Sequence, residues 1–257
     1  MKPTLFFQLA AAGVAAYMAA AIAHEVLGHG GACLALGGQI TLVSSVYFRS
    51  RPPSYWVDVA GPLASLLVGG GLYWYLRSTP RLGRRGLVGW FTMAFTLCWF
   101  AGYLLLEALT NLGDLALPMP GRAATLGWRV LLGGLGVLAY HVLVRRAALA
   151  TWPNTLLATY QRRGAGAGLL VVPYLAASLA AFAAAAWYAP GRAQAMWETS
   201  GEILGAASPL LFLVRRLTYT SRPAPAEAGK PDWLFLLAVG GSFLGFCLVL
   251  GRGVTLP

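Results

Sequence analysis

Apolar residues fall in long blocks along this chain, with polar residues gathered in the gaps. The first block runs from about Leu5 to Leu36. That exceeds the roughly 20 residues needed to cross a bilayer, so the helix must tilt or project. Further blocks cover Ala60 to Leu76, Leu87 to about Leu109, about Ala123 to Val144, Gly168 to Ala189 and Trp233 to Leu250. A weaker block, about Ala193 to Val214, carries Glu198 and Glu202. After the first block Gly37-Gly38 stops the helix, and Gln39 to Arg49 is rich in β-branched and aromatic residues. Arg51-Pro52-Pro53-Ser54 is a turn signal and Tyr55 to Val59 a second candidate strand, so residues 39–59 read as a β-hairpin. The expected fold class is an all-α polytopic membrane protein, with about seven transmembrane helices and a short membrane-associated β-hairpin after the first.

Composition agrees: of 257 residues, 58% are hydrophobic and 11% charged, with mean hydropathy +0.66. Soluble domains carry about 25% charged residues. The net charge of +11 would suggest nucleic acid in a soluble protein, but its distribution has another cause. With seven spans, the side holding the amino terminus also holds the loops after spans two, four and six. That side carries thirteen of the nineteen basic residues, among them Arg81, Arg84, Arg85, Arg162, Arg163, Arg215 and Arg216. Cytoplasmic loops carry such an excess, so the amino terminus is expected in the cytoplasm and no nucleic-acid partner is implied. Richness in Ala, Gly and Arg suggests a bacterial inner membrane. Lys2 and the small residues Ala19 to Ala23 also resemble a signal peptide, but the apolar stretch resumes after residue 29. Cys33, Cys98 and Cys247 lie far apart in apolar runs and read as small buried hydrophobes.

The chemistry lies in His24-Glu25-Val26-Leu27-Gly28-His29. An ionisable group at membrane depth costs about 2.5–3.5 kcal/mol on insertion scales, and histidines with a glutamate on one helix suit a catalytic metal. The zincin pattern His-Glu-x-x-His spaces its histidines by four. Here they are five apart, about 140° around a regular α-helix. A π-bulge, at about 4.4 residues per turn, would bring them within about 50°, and Gly28 could ease that distortion. The alternative is a regular helix in which Glu25 and His29 face one way and His24 another. A catalytic zinc takes three protein ligands and a water. Asp114, where span three ends, is the candidate third ligand, and Glu107 its rival. His141 reads as interfacial, and Arg129 as snorkelling or paired with a carboxylate. Glu198 and Glu202 read as lying on an interfacial helix, or as a gate or substrate contact.

The order of these elements, with Gly37-Gly38, the hairpin, Ala60-Gly61-Pro62-Leu63-Ala64 opening the next helix and an Asn111-to-Asp114 element before Pro118 and Pro120, resembles the site-2 protease family of intramembrane zinc metalloproteases. The resemblance covers about residues 8–122, with an atypical His-Glu-x-x-x-His motif. It implies a core over 1–122 and accessory transmembrane helices over 123–257. It further implies a zinc ion on His24, His29 and Asp114, Glu25 as general base, and a membrane protein or peptide substrate lying along the hairpin as an added strand at residues 40–48. Asn111 could hold a substrate carbonyl or the oxyanion, or cap a helix. Two other readings stand beside protease: a membrane metal hydrolase acting on a lipid amide, and a non-catalytic binding or transport protein that has lost its metal site.

Overall fold

The computed structural model describes residues 3–79, 84–110, 113–115, 126–152, 168–213 and 232–255. It is an all-α polytopic membrane protein in which six helices are long and apolar enough to cross a bilayer. We label them α1 (Pro3–Ala35), α2 (Tyr55–Ser78), α3 (Arg84–Thr110), α4 (Leu126–Thr151), α5 (Gly168–Ala186) and, last in the chain, α7 (Trp233–Gly251). Between α5 and α7 lies α6, residues 192–206, which ends in a π-helical turn, Ser200–Ala206.

Helix α1 runs through the middle of the bundle, packed against α2, α3, α5 and α7. Its small residues allow this. Ala12, Ala16 and Ala20 are fully buried, as are Ala177, Ala181 and Ala184 of α5. A Cβ on Gly13 would lie only 2.1 Å from the Pro173 carbonyl oxygen, so the two backbones touch. Dispersion between close backbones is what holds helices together in lipid, where burying apolar side chains adds little drive. By contrast α2, α4 and α7 turn large apolar side chains outward, among them Leu67, Leu126 and Leu234.

The hairpin departs from the sequence expectation. It is folded within 39–51: β1 (Gln39–Val43) pairs antiparallel with β2 (Phe48–Arg51), with a bulge between Ile40 and Leu42. Ser44 makes the turn, its hydroxyl accepting from the amides of Val46 and Tyr47. Tyr55 to Val59, expected as a strand, instead opens α2. Pro52 and Pro53 end the extended run, the Ser54 carbonyl accepts from the Val57 and Asp58 amides, and Asp58 suits a helix amino terminus. A third strand, β3 (Val254–Thr255), pairs with the other edge of β1, giving the order β2-β1-β3. Strand β1 is therefore central, and among the described residues β2 and the two-residue β3 are the edge strands.

This sheet also fixes which ends of α5 and α7 lie together. Leu42 and Val46 of the hairpin pack with Ala185 and Tyr188 at the end of α5. The Ser45 amide donates to the carbonyl of Leu250 at the end of α7. Both helices thus finish at the hairpin end, so α7 begins at the other, and the chain between them returns across the bundle. The expected span at 193–214 is not among the six apolar helices. Those residues form α6, broken after Ala206 and resuming at Pro209–Phe212, with Trp197, Leu204 and Phe212 exposed on its outer face. A seventh crossing through α6 would put the termini on opposite sides. A side-specific reporter fused in turn to the amino and the carboxyl terminus is expected to read opposite compartments; the same compartment for both would contradict this path.

Candidate metal centre

The helix that carries the motif is π-helical from Ile22 to Gly30, and the Gly31 amide reaches back five residues to the Val26 carbonyl. The wider turn does what a regular α-helix cannot: it brings His24 and His29 onto one face, their Nε2 atoms 3.3 Å apart and their rings 82° from parallel. Gly28 serves a different purpose from the expected easing of strain. A Cβ there would lie 2.7 Å from the Gly61 Cα and 2.8 Å from the Ala60 oxygen, so α1 and α2 cross in backbone contact. Gly61 is tighter still, since its Cβ would lie 2.3 Å from Nε2 of His29 and 2.8 Å from Nε2 of His24. The Ala60-Gly61-Pro62 string therefore forms a wall of the centre.

Asp114 completes the cluster, as expected. Its Oδ2 lies 3.0 Å from Nε2 of His24 and 3.4 Å from Nε2 of His29. It projects from the 113–115 turn beyond α3. The end of α3 is tied down by Arg129, whose guanidinium donates to the Ala108 carbonyl at 2.7 Å and the Leu109 carbonyl at 2.6 Å. Arg129 thus neither snorkels nor pairs with a carboxylate; it caps a helix carboxyl end, where cations are favoured.

The outer contacts fix which imidazole nitrogens face inward. Nδ1 of His29 lies 2.8 Å from the Val57 carbonyl, which can only accept, so Nδ1 carries a proton and, in the neutral ring, Nε2 presents the lone pair a metal needs. Pro62 cannot donate to the Asp58 carbonyl, and the loosened turn leaves the adjacent Val57 oxygen open to this second donor. Nδ1 of His24 lies 3.1 Å from the Ser65 hydroxyl. The ring of Tyr103 stacks on His24 at 4.8 Å and 9°, and that of Phe48 on His29 at 5.4 Å and 20°. Ser65, the Val57 carbonyl, Tyr103 and Phe48 carried no signal in the sequence, because each acts from another element.

The donor set fits a metal. Three electron-rich atoms face one point, with edges of 3.0, 3.3 and 3.4 Å. Tetrahedral zinc with bonds of about 2.0–2.1 Å would set its donors about 3.3 Å apart. Without a cation or protons between them these atoms repel. Glu25 stands just outside, with a carboxylate oxygen within 4.8 Å of the imidazole donors. It is 4% exposed, and its Oε2 has no hydrogen-bond partner, so a buried acceptor is left for a water or a substrate group. Glu107, the rival ligand, lies beneath the following turn, its Oε2 3.6 Å from the Cβ position of Gly113. Asn111 lies outside the described residues. His141 is remote, 3.3 Å from Arg145 one turn on.

Gly61→Ala is expected to abolish metal retention by the purified protein, measured by elemental analysis, because its methyl occupies the imidazole site. Gly70→Ala, whose Cβ meets nothing within 4 Å, should leave retention unchanged. Ser65→Ala should weaken affinity by about tenfold, as loss of an outer-sphere partner does. Comparison with protein-family models, with curated proteins and with solved structures finds no match for this chain.

Proposed function

We propose that this chain is a zinc-dependent intramembrane protease, hydrolysing a peptide bond of a membrane protein or peptide in or near the bilayer, as the site-2 proteases it resembles do. The observation that carries the reading is the convergence of His24, His29 and Asp114 beside a buried, unpartnered Glu25 oxygen. A zinc ion held by those three residues would lower the pKa of its water towards about 7 and polarise the scissile carbonyl.

The chain's own groups supply the rest. Glu25 takes the proton of the attacking water and returns it to the leaving amine nitrogen. Asn111 retains its proposed role of holding a substrate carbonyl or the oxyanion. An unwound substrate segment needs partners for its backbone in a region short of water. The expected strand addition along residues 40–48 is redirected by the sheet, because β1 already has a neighbour on each side. Of the two edge strands, β2 is the longer and its Phe48 stacks on the ligand His29, so a peptide added there would run beside the metal. This edge favours a peptide over a lipid amide, which has no use for it. The excess of basic loops on the amino-terminal side supports a cytoplasmic amino terminus in a bacterial inner membrane, with the hairpin at the opposite face.

Glu25→Gln is expected to keep the metal while lowering cleavage of membrane substrates in proteoliposomes by about 10²–10⁴-fold. His24→Ala should lose metal and activity together. A wild-type protein that binds no divalent ion, or a Glu25→Gln variant with unchanged behaviour, would favour a non-catalytic binding or transport protein.

A further inference from the structure

We infer that Glu202 is a positioning residue for the metal centre, acting through Tyr103; this rests on the metal-binding reading above. Glu202 lies on α6, outside the stretch that resembles a protease core. It was expected on an interfacial helix, yet it reaches into the bundle and accepts a hydrogen bond from the Tyr103 hydroxyl at 3.1 Å. This bond ties the hydroxyl to α6 and fixes the ring's position along its long axis. That ring covers the face of His24 almost in parallel, 9° from coplanar at 4.8 Å. With Ser65 on its outer nitrogen and Tyr103 on its face, His24 is held in one plane, and its Nε2 is held on the point shared with His29 and Asp114.

The surrounding contacts make α6 a rigid base for this. Its π-helical turn leaves carbonyls that the helix does not satisfy, and two other tyrosines fill them. The Tyr174 hydroxyl of α5 donates to the Ile203 carbonyl at 2.9 Å, and the Tyr140 hydroxyl of α4 to the Ala206 carbonyl. Ala206 lies directly against Gly102, the residue before Tyr103, where a Cβ would come within 2.2 Å of its own. Helices α3, α4 and α5 therefore all hold the turn that carries Glu202. A glutamate in a membrane crossing is costly. Here its carboxylate meets the one hydroxyl whose ring covers a metal ligand.

Cobalt reports on the inference because its visible absorption responds to ligand geometry whether or not substrate is turned over. The full chain in detergent is titrated with Co²⁺ as wild type, Glu202→Leu, Glu202→Gln and Tyr103→Phe, with helical content followed by circular dichroism. Glu202→Leu and Tyr103→Phe are expected to shift the cobalt bands and weaken binding by about tenfold, while Glu202→Gln, which keeps an accepting oxygen, stays close to wild type. Wild-type spectra and affinity in both Glu202→Leu and Tyr103→Phe would overturn the inference. So would a Glu202→Gln variant as impaired as the leucine. Should Glu202→Leu fail to fold, Tyr103→Phe decides, since it removes one oxygen and leaves the stacked ring. A wild-type protein that takes up no cobalt would overturn the metal reading itself, a result distinguishable from failure of the variants alone.

Discussion

Three lone-pair donors facing one point at membrane depth set the terms for the rest of this molecule. Nε2 of His24, Nε2 of His29 and Oδ2 of Asp114 stand within 3.4 Å of one another. In water such a cluster would be screened. Among apolar helices it needs a cation, and it needs every outer atom of the ligands occupied so that none turns away. The π-helical turn, the crossing of Gly28 on Gly61, the Val57 carbonyl and the Ser65 hydroxyl can all be read as consequences of that requirement. The wider turn gives up regular hydrogen bonding over a few residues. The backbone contact with α2, which only two glycines at the crossing permit, offsets that loss.

The same economy of contact shapes the periphery. Strand β3 comes from the carboxyl end of the described chain and closes one edge of β1, so the hairpin is held from both ends of the fold. That pairing draws the end of α7 to the hairpin. Helix α6 presents Trp197 and Leu204 outward, and its inner side is held by tyrosine hydroxyls from α3, α4 and α5. Of the three hydroxyls that satisfy its carbonyls and its glutamate, that of Tyr103 belongs to a ring that covers the ligand His24. A segment that hydropathy alone would discount is thereby joined to the site.

How much of this was legible beforehand differs from element to element. The apolar blocks marked six helices, most ends to within a few residues but α2 starting five residues early and α4 running seven past Val144, because length and hydropathy are local properties and lipid tolerates little else. The five-residue spacing of His24 and His29 demanded a π-bulge if both were to meet one metal, and the helix has one. Asp114 was legible as an acid at a helix exit. The strand boundaries were not: Tyr55 to Val59 looks like a strand by composition, yet two prolines and the Ser54 carbonyl start a helix there. Arg129 was legible as a charge needing a partner, but its partners are backbone carbonyls of α3, which no side-chain pattern announces.

The sequence by itself determined the class of the protein, the course of its apolar helices and the residues able to hold a metal, since each follows from the chemistry of neighbouring side chains. Only the tertiary structure decided that Gly61 walls the site, that β1 is the central strand and β2 an edge, that α6 packs against α3, α4 and α5, and that Tyr103 links Glu202 to His24. Those four depend on distances between residues far apart in the chain. Close packing across helices sets such distances, and no local period encodes them.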